Sequence, residues 1–191
     1  MAQAISRREL ALSACLRPFW FVLLLLPLIA FACGGGGSLS PGKGGKGETL
    51  IIQIEDINRV QEIRYQGTDR NHYLVVPASR DNELVALRLN VHNAEATRVL
   101  MTVGGQAAEL RGAGSTEEYT LLDLTPQNVE NVRVVDSTHP AENRFVPFIA
   151  GPIELPQGHS VVGWVVFEVP RGTKLREIRW DAGGDVIYIR G

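Results

Sequence analysis

The sequence predicts an all-β domain, an antiparallel sandwich or barrel. Three observations predict it. From Thr49 onward, apolar residues recur with a period of two rather than 3.6. The apolar stretches are short, roughly eight to ten of them at intervals of about 10 to 15 residues, and Gly, Pro, Asn and Asp punctuate them. No stretch carries the repeating apolar face of a long amphipathic helix. The chain has 191 residues, 45% hydrophobic and 21% charged, which suits one folded domain of ordinary size.

The elements begin with a leader. Arg7, Arg8 and Arg17 stand against a single Glu9, and residues 19–32 then run without a charge. Fourteen residues are too few to span about 30 Å of hydrocarbon at roughly 1.5 Å each. Pro27 also interrupts a continuous helix. A basic start, a short apolar run and a small-residue end predict a secretory signal over residues 1–32. Ala30-Phe31-Ala32-Cys33-Gly34 resembles a bacterial lipobox, in which cleavage before a cysteine is coupled to lipidation of that cysteine. Ala32 and Gly34 fit the motif, while Ala30 and Phe31 depart from its usual Leu and small residue. The resemblance makes Cys33 the expected lipidation site and the chain's means of reaching a membrane. Residues 33–48 are then expected to form a tether. Eight of the 14 residues from Gly34 to Gly47 are glycine. Such a segment has little to bury against its ordering entropy and, as a coil, spans roughly 20 Å.

The sandwich is expected over residues 49–191. Its first strands are 50–57 and 73–77. Residues 83–93 place Val85, Leu87, Leu89 and Val91 on one face, opposite Leu84, Ala86, Arg88, Asn90 and His92. Residues 97–103 repeat the alternation with Val99, Met101 and Val103. Further strands are expected at 129–136 and 146–155, the latter broken by Pro147, Gly151 and Pro152. Residues 161–169 are apolar on both faces, which predicts a central strand. Residues 175–180 and 186–190, joined by Asp181-Ala182-Gly183-Gly184-Asp185, predict a terminal hairpin. Ser115-Thr116-Glu117-Glu118 matches a capping box, and Thr125-Pro126 could open a helical turn; both are expected as loop features here.

Two stretches resemble a known family. Residues 84–93, LVALRLNVHN, are similar to the Asn-ended strand of a telokin-like, immunoglobulin-like extracellular domain found in bacterial lipoproteins. Residues 155–170, LPQGHSVVGWVVFEVP, resemble its Gly turn leading into G-x-x-x-F-x-V-P. The resemblance spans about residues 49–191 and implies an immunoglobulin-like β-sandwich and an extracytoplasmic location. It implies no catalytic residue.

Charge and motif chemistry narrow the function. A formal net charge of −2 argues against nucleic-acid binding. Loss of residues 1–32 would take 19 basic residues to 16 and 21 acidic to 20, a net of −4 that an anionic surface mildly repels. Cys15 and Cys33 both precede the domain, so no disulfide framework is expected in it. Gly158-His159-Ser160-Val161-Val162-Gly163 lacks the second Gly of a nucleophile elbow, and Ser160 enters a β pattern rather than a helix. Gly42-Lys43-Gly44-Gly45-Lys46-Gly47 formally matches a dinucleotide fingerprint but neither follows a strand nor opens a helix. His72, His92, His139 and His159 show no metal-pair spacing. Asp81-Asn82-Glu83 and Asp181 to Asp185 read as acidic turns rather than calcium loops. Trp164 and Trp180 read as core aromatics. No catalytic, metal or cofactor residue is assigned. The expectation is a lipid-anchored, non-enzymatic binding or scaffolding module of the bacterial cell envelope, at the cell or outer membrane, with a protein or envelope-component partner. The loops 104–120 and 136–148 and the sheet edges are its candidate surfaces. The alternative is an envelope enzyme or metal-dependent factor whose site forms only on folding.

Overall fold

A computed structural model describes residues 37–136, 138 and 141–191. The expected leader, Cys33 and His139 lie outside the described residues. All regular structure in the described residues is β, as the period-two pattern predicts. The strands are β1 (Gly44–Lys46), β2 (Leu50–Val60), β3 (Ile63–Gln66), β4 (His72–Val75), β5 (Asn82–Asn93), β6 (Arg98–Val103), β7 (Ala108–Gly112), β8 (Glu118–Thr120), β9 (Val132–Val135), β10 (Gly151–Pro156), β11 (Ser160–Pro170), β12 (Leu175–Ala182) and β13 (Asp185–Arg190). They form four antiparallel sheets, ordered β1-β2-β5-β11, β13-β12-β7-β8, β10-β6 and β3-β4-β9.

The alternation in β5 explains how these sheets stack. Val85, Leu87, Leu89 and Val91 enter a large core with Trp180, Ile178, Leu110 and Met101, from the β13-β12-β7-β8 and β10-β6 sheets. Leu84 and Ala86, on the opposite face, enter a smaller core with Tyr65, Tyr73, Val75 and Val132 from β3-β4-β9. The sheet containing β5 is therefore a middle layer with apolar residues on both faces. The expected sandwich is present, and the β3-β4-β9 sheet adds a third layer.

β11 shares this double role. Val165, Phe167 and Val169 face the large core; Trp164 and Val166 face the small one. The sequence predicts a central strand here, yet β11 ends its ladder. Its outer edge is instead covered by irregular chain. Leu122 N donates to Val166 O at 2.8 Å, Ile149 N to Trp164 O at 2.9 Å, and Trp164 N to Pro147 O at 2.9 Å. Burial on both faces needs cover, and here loops supply it. Trp180 is fully buried, and Trp164 meets Phe145 edge-on at 5.0 Å, so both tryptophans are core residues.

The expected tether is corrected over its second half. Leu39 is buried and its N donates to Leu175 O at 2.9 Å. Gly44–Lys46 pairs with β2. A Cβ on Gly45 would lie 2.6 Å from Ile187 Cγ2, and one on Gly47 would lie 2.6 Å from Asp185 Oδ2. These glycines let backbone pack where no side chain fits, so a Gly-rich composition here marks close approach rather than coil. The folded unit accordingly begins near residue 37, not 49.

The terminal hairpin is as expected. Ala182 pairs with Asp185 across Gly183 and Gly184, whose φ values of 74° and 86° are the left-handed geometry of a two-residue turn. The capping-box residues make a local turn, with Glu117 N donating to Ser115 Oγ at 2.9 Å, before β8 begins.

Candidate functional site: an arginine groove on the β13-β12-β7-β8 face

β12 and its neighbours alternate cleanly. Ile178 and Trp180, Ala108 and Leu110, and Ile187 and Ile189 face the core. Glu177 and Arg179, Glu109 and Arg111, and Val186, Tyr188 and Arg190 are left on the other face. A register shift between Leu175 and Glu177 leaves Arg176 without a ladder partner, and it is exposed. The result is a groove of about 600 Å³ lined by Arg111, Ser115, Glu118, Arg176, Glu177 and Tyr188, with Arg190 at its side.

Glu177 organises this groove. It is buried, and its carboxylate accepts from Arg190 Nε at 2.5 Å and Arg111 Nη1 at 3.4 Å. Arg111 also pairs with Glu118 through Nη2. The Glu177 hydrogen bond and its negative charge raise the pKa of Arg190. The Arg190 guanidinium sits 5.4 Å from the Tyr188 ring centroid, within cation–π range. Arg111 Nε is buried and makes no hydrogen bond among the described residues. Arg176 makes no ion pair among them. Three guanidiniums thus face two carboxylates, and the surplus charge sits at Arg176. Tyr188 adds exposed apolar surface to the groove, 45% accessible, and Val186 continues the same face of β13 toward the hairpin turn, 49% accessible. Chemically, this surface suits an anionic group with an apolar neighbour.

A second cavity, about 270 Å³, lies beside β11 and is lined by Gly104, Leu121, Leu122, Leu124, Ile149 and Trp164. Its walls are mainly apolar side chains and backbone of the segments that cover the strand.

The structure brings together one pair among the residues that the sequence marks. His92 Nδ1 and Ser160 Oγ lie 2.9 Å apart as directly opposed residues of β5 and β11. Ser160 opens a strand rather than a strand-to-helix turn, and no carboxylate hydrogen-bonds His92 among the described residues. His72 opens β4, and His159 is exposed in the turn before β11. No group of three metal-ligating side chains occurs among the described residues.

The acidic turns do structural work. Glu83 pairs with Arg59 at 2.5 Å and accepts from Gly172 N at 3.0 Å. Asn82 donates to Glu168 at 2.7 Å. Asp185 is buried and accepts from Glu48 N, Thr49 N, Thr49 Oγ1 and Leu50 N. Burial raises its pKa, but these four donors outweigh it and leave the carboxyl below its usual range.

Sequence reasoning misses the groove. Arg176 and Arg190 belong to the expected terminal hairpin, but Arg111 lies far from them in the chain, and only the pairing of β7 with β12 makes it their neighbour. The available signal is the outward phase of each strand, which the apolar alternation reveals only once the pairing is known.

No family model and no curated protein matches this chain. Among solved structures, it is similar to a functionally unknown protein from Listeria monocytogenes EGD-e, with a TM-score of 0.40, 11% identity, and coverage of 80% of this chain and 82% of that one.

Proposed function

We propose that this chain is a bacterial extracytoplasmic lipoprotein, anchored through lipidated Cys33, whose folded domain is a non-enzymatic binding or scaffolding module of the cell envelope. The leader over residues 1–32 and the lipobox-like Ala30 to Gly34 support the anchor. Two four-stranded antiparallel sheets around the larger core support an immunoglobulin-like type for the sandwich. The observation that carries the binding role is the arginine groove: charged side chains held in place by Glu177 on a hydrogen-bonded sheet, with one arginine uncompensated. Holding a charged constellation on paired strands fixes its geometry before a partner arrives, which lowers the ordering cost of binding.

The test of the anchor is intact mass and detergent partitioning of the protein expressed in a bacterium, beside Cys33→Ser. The expected wild type begins at Cys33, carries acyl mass and enters the detergent phase, while the variant does not begin at residue 33 and carries no acyl mass. A wild type cut elsewhere, without added acyl mass, would refute the anchor.

A further inference from the structure

The groove lies beside the point where the chain enters the folded domain. Leu39 N donates to Leu175 O, and Gly191 N to Arg176 O, each at 2.9 Å. Ser38 Oγ donates to Leu175 O at 3.3 Å. A Cβ on Gly37 would lie 2.3 Å from the Gly191 carbonyl carbon. Entry point, Arg176 and the end of β13 are therefore immediate neighbours. Only three residues separate Gly37 from Cys33, and the four Cα–Cα steps between them reach at most about 14 Å. With Cys33 acylated and held in a bilayer, this tether would keep the domain's entry point within about 14 Å of the anchored residue, a distance comparable to the Debye length of about 8 Å at physiological salt.

The chemistry of that face matches the layer. Val186, Tyr188 and Arg190 form an outward stripe on β13: one apolar residue, one interfacial aromatic and one guanidinium. Arg176 adds unpaired positive charge next to it. A domain that is acidic as a whole is repelled by an anionic surface in most orientations, so a local positive excess selects the orientation that faces the lipid. Glu177 and Glu118 hold Arg111 and Arg190 in place but leave Arg176 to the partner.

We propose that the Arg111–Arg176–Arg190 groove, with Tyr188, docks onto anionic phospholipid headgroups of the bilayer that holds the chain. This rests on the lipid-anchor reading of Cys33. Docking fixes the domain's orientation and turns the opposite side, the β3-β4-β9 layer, toward the envelope space.

The test uses the full lipidated chain in vesicles, with an environment-sensitive thiol dye at Thr116→Cys, which lines the groove, and, separately, at Val134→Cys, on β9 of the far layer. Both positions are exposed, and the acyl group blocks Cys33. In phosphatidylglycerol vesicles the dye at 116 is expected to shift to the blue and to be quenched by bromolipids, while the dye at 134 is not. Phosphatidylcholine vesicles should give neither effect. Arg176→Gln, which breaks no ion pair among the described residues, should lower the docked-to-undocked ratio about fivefold. Equal response in both lipids, or equal response at both positions, would overturn the proposal. So would a dye shift at 116 that inorganic phosphate produces without vesicles, since that marks a small-anion site. An intact mass without acyl groups removes the tether premise and overturns the proposal by a separate readout.

Discussion

Asp185 shows how one residue can clamp two distant parts of this chain. It is the first residue of β13, yet its carboxylate serves the start of β2. Its Oδ2 accepts from Thr49 N at 2.9 Å, Thr49 Oγ1 at 2.8 Å and Leu50 N at 2.6 Å, and Oδ1 accepts from Glu48 N at 3.1 Å. An amide in its place would present N–H where donors already point. Asp185→Asn is therefore expected to cost roughly 1–3 kcal/mol at pH 7 by denaturant titration. The pH dependence follows from the lowered carboxyl pKa. A depressed pKa stabilises the fold above the unfolded value of about 3.8, and the contribution is lost as pH falls through the still lower folded value. The gap between wild type and Asp185→Asn should thus be constant from pH 7 to about pH 5 and shrink below pH 4. A gap that stays constant to pH 3 would show that the carboxylate charge does not matter.

At the scale of elements, β1 departs most from the expectation. Its composition, Gly44-Gly45-Lys46, carries none of the β-branched or aromatic residues that favour strands. What makes it a strand is its surroundings. Gly42 N donates to Ile54 O and Ile54 N to Lys43 O, each at 2.8 Å, and Gly45 lies against Ile187 of β13. Gly45→Val would drive a branched side chain into that contact at an expected cost of roughly 1–3 kcal/mol. Trypsin offers a direct check. In the folded wild type the bonds after Lys43 and Lys46 should resist cleavage, and in Gly45→Val they should be cut first. Rapid cutting at both lysines in the wild type would show that β1 is not stably paired.

The whole molecule is organised by two strands that serve two cores. β5 and β11 each put alternate side chains into the larger and the smaller cluster. Phe167 and Trp164 belong to the same strand, and opposite sides of its sheet. Losing either cannot loosen one layer without disturbing the shared ladder. Phe167→Ala and Trp164→Ala are each expected to cost about 3–5 kcal/mol and to lower one common calorimetric transition. Two separated transitions in either variant would show that the third layer melts independently.

The all-β class, the alternation of β5, the terminal hairpin and the two core tryptophans are legible in the sequence because they depend on local periodicity and turn chemistry. Val85 and Leu87 announce a buried face whatever lies across it, and Gly183-Gly184 announces a turn whatever strands it joins. The third layer, the fate of the Gly-rich segment and the arginine groove were decided only by tertiary structure. Each depends on which strands become neighbours. Glycine reads as coil until a neighbouring backbone comes within contact of it, and Arg111 reads as scattered surface charge until β7 pairs with β12, beside the hairpin that carries Arg176 and Arg190. Periodicity is a property of one strand, whereas a site on a sheet is a property of its neighbours, and that information is not local in the chain.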